Sequence, residues 1–117
     1  MKRTSLYFTA PYELQLRQEP LPDPGPNQVL VQTLQSAISP GTEALVYRGQ
    51  FPEDMPVDAT IAALPGAFQY PFKYGYSAVG RVIACGPDVP GDWEERLVFA
   101  FTPHESHFLA EVQALLP

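Results

Sequence analysis

Ala78-Val79-Gly80-Arg81-Val82-Ile83-Ala84-Cys85, closed by Gly86-Pro87-Asp88, is the stretch on which the fold turns. It reads as a strand stopped by a turn, and a glycine inside a strand marks a bend or a close backbone approach. Downstream, Leu97-Val98-Phe99-Ala100-Phe101 is the next apolar strand, and Phe108-Leu109-Ala110-Glu111-Val112 is a last one. Upstream, Val29-Leu30-Val31-Gln32-Thr33-Leu34 gives another. Earlier still, Leu6-Tyr7-Phe8-Thr9 and the alternating Tyr12-Glu13-Leu14-Gln15-Leu16-Arg17 predict two strands of a half-buried sheet. Between them and Val29, Pro20, Pro22, Pro24, Gly25 and Pro26 make a stiff loop, since each proline fixes φ and restrains its predecessor. Short strands separated by turn signals indicate a mainly β fold, a compact barrel or a sandwich. No internal repeat is present.

Gly41-Thr42-Glu43-Ala44-Leu45-Val46-Tyr47-Arg48-Gly49 breaks the strand pattern. It predicts a short helix over residues 43–48, with Thr42 as N-cap, Glu43 at the positive end and Gly49 past the last turn. From Gln50 to Tyr74 the chain is aromatic and proline-rich, and only Thr60-Ile61-Ala62-Ala63-Leu64 suggests a helical turn. This long loop is read as a lid or pocket wall. Its Phe51, Phe68, Tyr70, Phe72 and Tyr74 either enclose a large apolar substrate or simply pack a core.

At 117 residues the chain is expected to form one domain around a single core. A hydrophobic share of 45% and a charged share of 17% disfavour disorder. Fourteen prolines are about twice the usual share and punctuate a fold of short pieces. The formal charge of -6 and the lack of a basic patch argue against nucleic acid and anionic lipid as partners. No apolar run approaches the ~20 residues of a membrane span, and Lys2 and Arg3 precede no secretory core. A single cysteine, Cys85, excludes an internal disulfide. A cytoplasmic protein is the expectation.

Four pieces in order carry a family likeness: the early hairpin, Ser36-Ala37-Ile38-Ser39-Pro40-Gly41-Thr42-Glu43, Tyr74-Gly75-Tyr76-Ser77-Ala78-Val79-Gly80-Arg81-Val82, and Leu97-Val98-Phe99. They resemble the amino-terminal catalytic domain of the medium-chain dehydrogenase/reductase superfamily, and most of all its zinc-lacking branch similar to bacteriochlorophyllide dehydrogenases. The resemblance implies a GroES-like, partly open β-barrel with one or two short helices filling residues 1–117. It also implies a Rossmann cofactor domain following Pro117 in the full polypeptide. No Gly-x-Gly-x-x-Gly occurs here, so NAD(P) is not expected to be held by this chain alone, and the chain alone is expected to be inactive.

In zinc enzymes of the superfamily the second piece carries a ligand cysteine and the third a Gly-His-Glu. Here those places fall at Ser39 or Pro40 and at Gly75-Tyr76-Ser77. A neutral hydroxyl or a proline nitrogen is no substitute for thiolate or imidazole, and one cysteine cannot form the four-cysteine structural lobe. No zinc of either kind is expected.

The resemblance makes Thr42 the hydroxyl that relays a proton to a substrate oxygen; a helix cap is its alternative role. Tyr76, in the place of the metal histidine, either donates to a carbonyl oxygen or fills the core. Ser39 and Ser77 flank the same place as substrate contacts or loop ties, and Arg48 suits an oxyanion or merely the helix end. Glu43 buttresses the site or meets the helix dipole. His104 and His107, three apart around Glu105, raise the question of a metal, but strand geometry turns such a pair to opposite sides. His104 is the better general acid.

Two functions follow. One is the substrate-binding half of a zinc-independent NAD(P)-dependent oxidoreductase acting on a small-molecule carbonyl or enone. The other is a standalone GroES-like binding or assembly module, whose exposed apolar surface would favour self-association, for example into a homodimer.

Overall fold

A computed structural model describes residues 1–50 and 70–116. Strands β1 (Lys2–Ala10) and β2 (Glu13–Pro20) form an antiparallel hairpin. Strands β3 (Gln28–Ser36), β4 (Ala78–Cys85), β5 (Leu97–Ala100) and β6 (His107–Glu111) form an antiparallel sheet in the order β5-β4-β3-β6. Helix α1 (Pro40–Arg48) leaves the end of β3. Bridges Ser5–Glu105 and Phe8–Phe72 tie the hairpin to the segments flanking the sheet, and Phe99–Leu116 ties the chain's last described residue to β5, which gives the small, mainly β fold expected. Among the described residues no helix is long and apolar enough to cross a membrane.

The sheet is held by a dry core. Val29, Val31 and Val82 are fully buried, and Val98, Ala100, Phe108 and Leu115 join them. Each valine contributes roughly 1.5–3 kcal/mol by leaving water. Gly80 belongs to this packing: a Cβ there would stand 2.5 Å from Val31 Cγ1 and 2.7 Å from the Gln32 carbonyl oxygen. The glycine in β4 therefore marks a close approach of β3, one of the two readings its position allowed.

A second cluster lies between the hairpin and α1. Phe8, Val46 and Tyr74 are buried, with Tyr47, Tyr70, Phe72 and Tyr76 packed against them. Phe8 stacks on Phe72 at 5.9 Å, and Phe72, Tyr74 and Tyr76 follow edge to face. Tyr70 donates its hydroxyl to the Val46 carbonyl at 2.8 Å, and burial pushes that phenol's pKa up. Of the aromatics expected to wall a pocket, Tyr70, Phe72 and Tyr74 thus pack this core instead, while Phe51 and Phe68 and the turn at 60–64 lie outside the described residues.

Two local readings need correction. The helix begins at Pro40, not Glu43, and Ser39 rather than Thr42 is its N-cap. Proline at the first helical position has the right φ and lacks an N–H that would have no partner there, so the helix starts as soon as Pro40 permits. Thr42 is inside the first turn and caps nothing. The alternation in β2 is real, but the strand is not half-buried. Leu14 and Leu16 are 47% and 70% exposed, because their face borders a cavity rather than a core.

Candidate functional site

The hairpin sorts its side chains by the period of two that strands impose. Leu6 pairs with Leu16 and Phe8 with Leu14 on one face, while Arg3 pairs with Glu19 and Tyr7 with Gln15 on the other. The apolar face looks toward α1 across a cavity of about 690 Å³. Leu6, Phe8, Leu14 and Leu16 line it on one side and Ile38, Ala44 and Tyr47 on the other. Polar residues also line it: Ser36 and Glu43 at the α1 side, and Thr4, His104, Glu105 and Ser106 where β1 meets the 104–106 segment. Beside it the Tyr12 N–H donates to the Tyr47 carbonyl and the two rings meet edge to face at 5.4 Å.

His104 stands in the bend between β5 and β6. Its Nε2 lies 2.5 Å from Glu43 Oε1 and its Nδ1 2.7 Å from Ser36 Oγ. Glu43 is 5% exposed, and its second oxygen accepts the backbone N–H of Ser39. One carboxylate thus closes the first turn of α1 and holds the imidazole. Glu43 also lies in the first turn of α1, at the positive end of the helix. The ring is fixed from below by Gly75, where φ is +126° and a Cβ would lie 2.8 Å from His104 Cδ2 and Nε2. Only glycine suits both the backbone and the space.

The backbone around His104 is tied to β1. Leu6 N–H donates to the His104 carbonyl at 3.0 Å, Thr4 N–H to Ser106 Oγ at 2.9 Å, and Ser106 N–H to the Thr4 carbonyl at 2.8 Å. Beneath this runs a cluster of charges. The fully buried Ser5 hydroxyl lies 3.0 Å from Glu19 Oε2 and 3.2 Å from Glu105 Oε2. Arg3 Nε reaches Glu19 at 3.0 Å and Glu105 at 3.3 Å, and Lys73 Nζ reaches Glu105 at 2.8 Å. Tyr7 donates its hydroxyl to Glu19. Burial alone would raise the Glu19 pKa, but the bonds from Arg3 and Ser5 and the charges of Lys73 and Arg3 outweigh it and hold the carboxyl below its ordinary value.

Of the other site residues expected from sequence, Ser39 is the N-cap, Arg48 is exposed in the last turn of α1, and Tyr76 packs edge to face on Tyr74 at 6.3 Å. Ser77 is half-buried and its carbonyl accepts the Ala37 N–H at 2.9 Å. Thr42 is half-buried on α1, and at 100° per residue it faces away from Glu43, Ala44 and Tyr47. None of these five is among the described residues that line the cavity. His104 does line it. His107 turns instead to Ser106, with Nδ1 3.0 Å from Oγ. Ser36, which opens the second of the four family-like pieces, was not among the site residues expected from sequence.

Among the described residues no group of three or more His, Cys, Asp and Glu side chains is gathered that could hold a metal ion. Burial and the Glu94 charge push the Cys85 thiol pKa up.

No family model matches the chain. Over 95 residues, 79% of the chain, it is 36% identical to the 2-desacetyl-2-hydroxyethyl bacteriochlorophyllide A dehydrogenase of Cereibacter sphaeroides, of which it spans 26%. An alcohol dehydrogenase superfamily protein of Novosphingobium aromaticivorans superposes with a TM-score of 0.68 at 24% identity, over 97% of this chain and 33% of that one. A mutant form of the enoyl thioester reductase of Candida tropicalis does so with a TM-score of 0.67 at 19% identity, over 99% and 33%. The chain therefore spans about a quarter of the curated relative and a third of each solved neighbour. By sequence and fold together it corresponds to the amino-terminal GroES-like domain of the medium-chain dehydrogenase/reductase superfamily.

Proposed function

We propose that this domain is the substrate-binding half of a zinc-independent, NAD(P)-dependent oxidoreductase that acts on an apolar carbonyl or enone. The observation that carries the reading is an apolar cavity of about 690 Å³ with one imidazole at its end, in a chain related to a dehydrogenase. Apolar walls with a few convergent polar groups are the usual form of a small-molecule site. When bound, the nicotinamide supplies hydride. No residue of this chain is assigned to holding it, and that task falls to a Rossmann-type half elsewhere in the full polypeptide.

The chain's own part is to desolvate the substrate, orient its oxygen and provide the proton. His104 is the proton source, held in place by Glu43, Ser36 and Gly75. Thr42 and Tyr76 form a second pair of donors, one on the opposite face of α1 and one in the segment before β4; Ser39, Ser77 and Arg48 are proposed as substrate contacts beside them. The two sets make different predictions. In a two-domain polypeptide, His104→Gln is expected to lower turnover by roughly 10²-fold or more, the ordinary worth of a positioned acid. Thr42→Val with Tyr76→Phe is expected to lower it further. A polypeptide that binds no dinucleotide, or whose turnover ignores all three substitutions, defeats the proposal.

A further inference from the structure

We infer that Glu43, His104 and Ser36 form a proton relay that opens into the cavity at the Ser36 hydroxyl, so that Ser36, rather than His104, touches the substrate oxygen. The inference rests on the carbonyl-reductase reading above and deepens it. Both ring nitrogens of His104 are already engaged, Nε2 by Glu43 at 2.5 Å and Nδ1 by Ser36 at 2.7 Å. No ring nitrogen is left for a substrate. An ionised carboxylate only accepts, so Glu43 requires a proton on Nε2. The exchangeable proton is then the one on Nδ1, which faces Ser36.

Exposure gives the relay a direction. Glu43 is buried, whereas Ser36 is exposed and lines the cavity. With His104 as imidazolium, Nδ1–H donates to Ser36 Oγ and frees the serine proton to point at a carbonyl oxygen. The substrate carbon gains hydride from a reduced nicotinamide and its π pair moves to oxygen. That oxygen takes the proton of Ser36 Oγ–H, and Oγ takes the proton of His104 Nδ1–H. The ring is left neutral with its proton on Nε2, and water restores the other. Charge and atoms balance, and the product is an alcohol.

Position supports the assignment. Ser36 ends β3 opposite Ala78 in the core sheet, so its hydroxyl is presented by a rigid strand. Glu43 is a positioning residue, acting through the ring and bound in turn to the Ser39 N–H.

The relay is tested twice. In the 117-residue chain, 15N-edited spectra of the neutral imidazole are expected to show His104 with its proton on Nε2; Glu43→Gln should mix the tautomers, and Ser36→Ala should shift Nδ1 alone. In the full polypeptide, Ser36→Ala is expected to lower kcat by roughly 10²-fold with KM changed less than about twofold, and Ser36→Thr to restore most of it. A proton on Nδ1 in the neutral ring overturns the relay, as does full kcat in Ser36→Ala. A wild-type polypeptide that reduces no carbonyl sinks the functional reading and the relay with it. One that does, yet tolerates Ser36→Ala, sinks the relay alone.

Discussion

The four-stranded sheet and the β1–β2 hairpin share one alternating pattern of side chains but bury opposite things. Between the sheet's strands and its closing turns lie valines, an alanine, a phenylalanine and a leucine, with Val29, Val31 and Val82 wholly removed from water. The hairpin instead places Arg3, Glu19 and the buried Ser5 about Glu105 of the 104–106 segment, with Lys73 joining them, and leaves Leu14 and Leu16 on an open face. A packed apolar core is tolerant of chemistry and intolerant of volume; a hydrogen-bonded ionic cluster is the reverse. Dry apolar burial is thus concentrated in the sheet, and the ionic cluster and the open apolar face in the hairpin half.

The sharpest way to break this contrast is to add volume to the sheet. Gly80→Ala places a methyl 2.5 Å from Val31 and 2.7 Å from the Gln32 carbonyl, with backbone on one side that cannot yield. A loss of about 3 kcal/mol is expected, at the upper end for overpacking, measured by urea unfolding of the 117-residue chain. An unchanged midpoint would mean that β3 and β4 are not so close.

A smaller effect comes from changing the charge in the hairpin half. The folded pKa of Glu19 lies below its ordinary value, so its ion pairs stabilise the fold fully above the unfolded pKa of about 4.3. That contribution is lost as pH falls through the lower, folded value. Thermal melts are expected to show Tm falling below about pH 4, and Glu19→Gln to be less stable at pH 7 with a shallower fall. Equal slopes for the two proteins would remove Glu19 from the cluster's energetics.

The least effect on stability is expected at the open face. Leu16→Ser alters a side chain already 70% exposed, so unfolding should move by no more than about 0.5 kcal/mol. Binding of an apolar carbonyl compound, followed by calorimetry, should nevertheless weaken, because Leu16 lines the cavity. Loss of stability without loss of binding would make the hairpin an ordinary packed layer.

What could be read from the sequence follows the same division. Strands β3 to β6 were legible within a residue or two because their apolar runs are local and bounded by turns. Gly49 was legible as the αL residue after α1, with φ +71°. The N-cap was misplaced by three residues, since Thr42 drew attention that Pro40 should have received. His104 and Glu43 were both singled out, but not as partners of each other or of Ser36, because Ser36 and Glu43 are 68 and 61 residues from His104 along the chain. No period or spacing records such a meeting. Only Gly75 hinted at it, and a glycine does not say which ring will lie on it. The leucines of β2 misled in the other direction: alternation predicts a face, not what covers it.

Strand β1 carries one practical consequence. Thr4 and Leu6 hold the backbone of the bend that presents His104, and Arg3 and Ser5 clasp Glu105 beside it. The imidazole therefore owes its place to four consecutive residues, Arg3 to Leu6. Cutting β1 away up to Leu6 would release the bend that carries His104 while leaving the valine-packed sheet and its spectroscopic signature largely intact.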